Sequence, residues 1–94
     1  MDHLIESHRQ QILDLAIRRG AQRIRLFGSM ARGDAKEGSD VDFLVEMQSG
    51  KSAFALGGLL MDLQDLLGRR VDVVTPNALH TAIRDKILNE AIDI

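Results

Sequence analysis

Gly28 and Ser29 are followed by ten residues and then by Asp40-Val41-Asp42. A third aspartate, Asp72, stands inside the short apolar run Val71-Asp72-Val73-Val74. One apolar run (Ile24, Leu26, Phe27) feeds the Gly-Ser step, and a second (Val41, Phe43, Leu44, Val45) carries the paired aspartates. Side chains two apart on a strand share a face, so Asp40 and Asp42 project together and a neighbouring strand can add Asp72. Three crowded carboxylates repel one another unless cations lie between them. The hard divalent ions Mg²⁺ and Mn²⁺ suit such all-oxygen ligands. Glycine lets a backbone approach a phosphate closely, and the free N–H groups opening a helix favour anions. The Ser29 hydroxyl can donate to a phosphate oxygen. Together these residues predict a metal-dependent phosphate site.

Each piece also has a plainer reading. Ser29 could simply cap a helix, and Ser39-Asp40 could be turn chemistry. Aspartate is, however, a poor strand residue. Asp42 and Asp72 both interrupt β-forming runs, where an acid needs a partner, an exposed face or a metal. Arg32, four residues after Gly28, either contacts a phosphate or pairs with an acidic neighbour such as Asp34. Lys36 reads as a solvated loop charge. His3, His8 and His80 share no ligand spacing and read as ordinary surface or interface residues.

The elements that must position these groups follow from periodicity. Residues 3–19 predict a helix with Ile5, Ile12, Leu15 and Ala16 near one face, ending at Gly20 after Arg18 and Arg19. Residues 23–27 predict a first strand, and Ser29 to about Gly33 a short helical turn. Residues 34–39 are loop-like and 41–47 a second strand. Residues 53–67 form the clearest helix, striped by Leu56, Leu59, Leu60, Leu63, Leu66 and Leu67 and ended by Gly68. Residues 70–74 predict a third strand. Residues 78–92 predict a last helix with Leu79, Ile83, Ile87, Leu88 and Ala91 inward. The class is α/β (α+β), in the order α-β-α-β-α-β-α, with a three-stranded sheet packed by helices. The long connection between residues 47 and 70 favours a parallel pair there.

Ninety-four residues, 45% of them hydrophobic, read as one lean domain over residues 1–94. No apolar run approaches the ~20 residues of a membrane span, and the N-terminus lacks the pattern of a secretory signal. The absence of cysteine rules out disulfides and thiolate metal sites and fits a reducing cytoplasm. A net charge of −2 and only three aromatic residues, all phenylalanine, argue against direct nucleic-acid binding.

Gly28-Ser29, ten residues and Asp40-Val41-Asp42 resemble the signature of the DNA polymerase beta-type nucleotidyltransferases. The fuller strings Phe27-Gly28-Ser29-Met30-Ala31-Arg32-Gly33 and Ser39-Asp40-Val41-Asp42-Phe43-Leu44-Val45 resemble the minimal nucleotidyltransferases of prokaryotes. Asp72 matches that family's third carboxylate, and the likeness extends through the closing Ile83–Ala91 segment. The resemblance implies nucleotidyl transfer with two Mg²⁺ ions and ATP as nucleotide substrate. Asp40 and Asp42 would hold the ion that bridges the triphosphate, and a second, shared with Asp72, would acidify the acceptor hydroxyl. Gly28, Ser29 and Arg32 would face the phosphates. It further implies a type VII-like antitoxin, which transfers AMP to a tyrosine of a cognate HEPN ribonuclease toxin and neutralises it. Two other readings differ in class. One is an antitoxin that inhibits by binding alone; the other is a transferase for a small-molecule acceptor held by a partner subunit.

Overall fold

The computed structural model describes all residues, Met1–Ile94. The chain opens with α1 (His3–Ser7), whose first turn is capped by Asp2 accepting the Leu4 N–H at 2.9 Å. Helix α2 (Arg9–Arg18) follows after a break at His8. The expected single helix over 3–19 is therefore two. The cause is local: His8 Nδ1 lies 2.8 Å from the Leu4 carbonyl, the acceptor that an unbroken helix would give to the His8 N–H. A carbonyl only accepts, so this ring nitrogen carries the proton, and the His8 N–H bonds Ile5 instead.

Strand β1 (Ala21–Phe27) leads into α3 (Ser29–Arg32), and β2 (Val41–Met47) leads into the long helix α4 (Ala53–Leu67). Gly68, at φ +62°, ends α4 in the left-handed conformation expected of a C-terminal glycine. Strand β3 (Val71–Val74) is followed by a 3₁₀ turn (Pro76–Ala78), α5 (Thr81–Glu90) and β4 (Ile92–Asp93). The sheet order is β3-β2-β1-β4. Strands β2 and β3 are parallel, as the long connection predicts, while β1 runs antiparallel to both β2 and β4.

Two expectations about the C-terminal region need correction. The sheet has four strands rather than three, because Ile92 and Asp93 leave the predicted helix and pair with Leu26 and Arg25. The last helix spans Thr81–Glu90 rather than 78–92, with His80 outside it as the cap that accepts the Ala82 N–H. Its apolar residues are not core: none of α5 is fully buried, and Ile83 is 48% exposed.

Strand alternation divides the sheet into two faces. Ile24, Leu26, Val41, Phe43, Val45 and Val71 turn one way and form a buried cluster with Ile5, Ile12 and Ala16 of the N-terminal helices and Leu59, Leu63 and Leu67 of α4. The opposite face carries Arg25, Phe27, Asp42, Leu44, Glu46 and Asp72, the partners or alternates of those positions in the register. One large core thus fixes the sheet from behind and leaves the acidic face toward α5. No helix is long and apolar enough to cross a membrane.

Candidate active site

The register brings the aspartates together. In the parallel pairing, Asp42 falls opposite Asp72, and in the antiparallel pairing Asp42 falls opposite Phe27, the residue before the Gly-Ser turn. Neighbouring strands lie about 4.8 Å apart, so side chains paired on one face meet. Asp40 lies just before β2, outside the strand ladder. Asp40 and Asp42 are half-buried, whereas Asp72 is exposed.

Gly28 makes the turn possible. Its φ of +75° is unfavourable for any residue with a side chain. A Cβ there would also collide with Asp42 Oδ2, so the turn and the central aspartate share a space that only glycine leaves open. Ser29 is the first residue of α3, and no side chain caps that helix. The capping role open to Ser29 in the sequence is therefore not the one it plays.

The electrostatics show uncompensated negative charge. Burial, then the charges of Asp72 and Asp40, push the Asp42 carboxyl above its ordinary value; a hydrogen bond to Asp72 and the charge of Glu90 add to this. Asp42 and Asp72 thus act as a close pair, and Asp40 reaches Asp42 through charge alone. The side chains do not form a ready-made cage of three or more ligands. Of the three carboxylates expected from sequence, the structure pairs Asp42 with Asp72 and leaves Asp40 just before the strand. The physical reason is that the ladder fixes Asp42 opposite Asp72, whereas Asp40 precedes the strand and has no register partner. The donor set nevertheless fits a hard divalent cation: it is all oxygen and anionic, and its central carboxylate is already crowded by like charge.

A cleft of about 370 Å³ opens beside the pair, lined by Phe27, Gly28, Ser29, Arg32, Asp42 and, from α5, Ile83, Lys86, Ile87 and Glu90. Asp40 and Asp72 lie outside this lining. Arg32 lines the cleft but is engaged: its Nε donates to Asp34 Oδ2 at 3.1 Å and its Nη1 to Glu90 Oε1. The Asp34 pairing was one of the two alternatives that the sequence left open for Arg32. Glu90 was not singled out from sequence, yet its Oε2 accepts the Gly28 N–H at 3.1 Å. The Arg32 hydrogen bond, against opposing burial, then the Gly28 N–H and the charges of Arg32 and Lys86 leave the Glu90 carboxyl below its ordinary value. Only its place in the closing helix hinted at this role, since its partners lie 58 and 62 residues away. Of the histidines, His8 and His80 serve the backbone of the N-terminal and last helices, and none lines the cleft.

Comparison with known proteins agrees with this geometry. The family described as the nucleotidyltransferase domain matches residues 5–94. The chain is 42% identical over 90 residues to a protein of Methanocaldococcus jannaschii provisionally named a protein adenylyltransferase, covering 96% of this chain and 97% of that one. It is 35% identical over 92 residues to the protein adenylyltransferase MntA of Thermococcus cleftensis, covering 98% and 90%. A solved structure provisionally described as a minimal nucleotidyltransferase superposes with a TM-score of 0.88 at 41% identity, over 100% of this chain and 97% of that one. A chain from a toxin–antitoxin crystal structure with AMP-PNP has the same fold, with a TM-score of 0.76 at 24% identity over 89% and 69%.

Proposed function

Because this chain belongs to the nucleotidyltransferase domain family and is a nucleotidyltransferase enzyme, we propose that it transfers AMP from ATP to a tyrosine hydroxyl of a HEPN-type ribonuclease toxin and thereby acts as that toxin's antitoxin. Relatives named protein adenylyltransferase and a fold shared with toxin–antitoxin structures support the acceptor class. The observation that carries the chemistry is the pairing of Asp42 with Asp72 in register beside the Gly28-Ser29 turn.

In this reading the triphosphate enters the cleft with its phosphates against Gly28 and Ser29. Ser29 donates its hydroxyl to a phosphate oxygen, and Gly28 lets the chain come close. Arg32 lines the same wall and steadies it through Glu90. Asp40, Asp42 and Asp72 would hold Mg²⁺, two ions by family likeness, which would neutralise the phosphates and acidify the acceptor hydroxyl. The tyrosine oxygen bonds to the α-phosphorus, the bond from that phosphorus to the β-phosphate's bridging oxygen breaks, and pyrophosphate leaves. Asp72, the exposed member of the pair, takes the hydroxyl proton on a carboxylate oxygen. Positioning and charge neutralisation dominate such transfers, so no histidine or cysteine nucleophile is required.

Incubation of the co-purified complex with ATP labelled at the α-phosphate and, separately, at the γ-phosphate tests the reaction class. Label on the partner from the α position alone, lost when the partner's tyrosine is replaced by phenylalanine, is the expected result. No protein labelling, with a labelled small molecule instead, would assign a different acceptor.

A further inference from the structure

Arg32 is the cation that the sequence places nearest the Gly-Ser turn, yet its guanidinium is already divided between Asp34 and Glu90. The cleft contains a second cation, Lys86 of α5. Lys86 lies four residues before Glu90, so the two side chains leave one face of the helix a turn apart, about 6 Å along its axis. Glu90 is tied to the Gly28 N–H and to Arg32, which anchors that face of α5 against the turn. The anchor aims Lys86 into the cleft. No carboxylate stands within ion-pair distance of its ammonium, unlike the guanidiniums of Arg19, Arg23, Arg25 and Arg32.

We propose that Lys86 is the cationic side chain that meets the phosphates of the bound nucleotide, beside Ser29, and that the Gly28–Glu90–Arg32 linkage is the brace that presents it. The assignment rests on the nucleotidyl-transfer reading above. It follows from which cation is free rather than which is nearest in sequence. An ammonium on a flexible stem can follow a phosphate chain whose charge moves during transfer, whereas a guanidinium held by two carboxylates is fixed in place. Ile83, one turn further along, continues the same wall as an exposed apolar surface.

Titration calorimetry of the full chain with AMP-PNP and Mg²⁺ tests this without a partner or turnover. Lys86→Ala is expected to weaken binding by about tenfold or more, the size of one charge-assisted hydrogen bond. Lys86→Arg should restore most of it. Lys36→Ala removes the same charge from an exposed loop outside the cleft and should bind as the parent chain does. Melting temperatures should match throughout, since Lys86 makes no hydrogen bond or ion pair that holds the fold. Binding by Lys86→Ala within about twofold of the parent, or equal weakening by Lys36→Ala, would overturn the assignment of Lys86. Failure of the parent chain to bind AMP-PNP would overturn the nucleotidyl-transfer reading itself.

Discussion

Gly28 shows how one residue can fix the geometry of the candidate site. Its positive φ turns the chain from β1 into α3, and its missing side chain leaves the space that Asp42 Oδ2 occupies. Gly28→Ala therefore meets two obstacles. The backbone strain alone is about 1–3 kcal/mol, and the added methyl must displace the central carboxylate. The expected outcome is a lower denaturation midpoint in urea together with loss of AMP transfer. Gly33→Ala is the control: it also has a positive φ but has nothing near its Cβ, so it should lose stability while keeping activity. Asp42, Asp72 and the Gly-Ser step stood out in the sequence because each breaks a local rule: acids inside strands, and a glycine where a strand should turn. Glu90 and Lys86 break no such rule. A glutamate and a lysine on a helix are ordinary, and their importance comes from where α5 lands, which no local pattern encodes.

At the scale of elements, the same contrast separates what could be read from what could not. Helix α4 has the predicted bounds, because a broad leucine stripe and Gly68 define both its buried face and its end. The parallel β2–β3 pair was likewise readable from its long connection. Strand β4 was not, since two residues acquire strand character only by pairing with β1 across the length of the chain. Besides its ladder to β1, β4 is tied by the paired contact of Arg23 with both carboxylate oxygens of Asp93, at 2.9 and 3.0 Å. Arg23, with burial working the other way, holds the Asp93 carboxyl below its ordinary value of 3.8. A carboxyl lowered in the folded state contributes its stabilisation above the unfolded value and loses it as pH falls through the folded one. Amide exchange at Ile92 and Asp93 should accordingly accelerate, relative to the core strands, as pH drops below about 3.8. In Asp93→Asn that differential step should vanish. A second test concerns β1 and β2. Arg25 is buried, and its Nη2 is held by Glu46 at 3.0 Å while its Nε has no partner. Glu46→Ala leaves that charge unpaired, and the urea midpoint should fall by the equivalent of about 2 kcal/mol. This is below the range for fully buried pairs because the Glu46 side chain is 34% exposed.

Over the whole molecule, one core stands behind the sheet and the chemistry stands in front of it. Helices α1, α2 and α4 bury the apolar face, and Arg19 links α2 to α4 through Asp62 at 2.7 Å, lying close over Gly58. The acidic face is left to α5, which is tied to the Gly28 turn and Arg32 through Glu90 and forms the far wall of an open cleft. In the proposed reaction such a cleft would grip a nucleotide on few residues, and Asp72 faces outward, which suits an acceptor delivered by another protein. The intact mass of the protein that co-purifies with this chain tests that account most directly. It should be taken before and after incubation with ATP and Mg²⁺, with Asp42→Ala alongside. The account predicts a gain of one or more AMP masses on the partner with the parent chain and none with the variant, while both remain bound to the partner. An unchanged partner mass in a stable complex that still suppresses the toxin would contradict it, and would mean inhibition by binding alone.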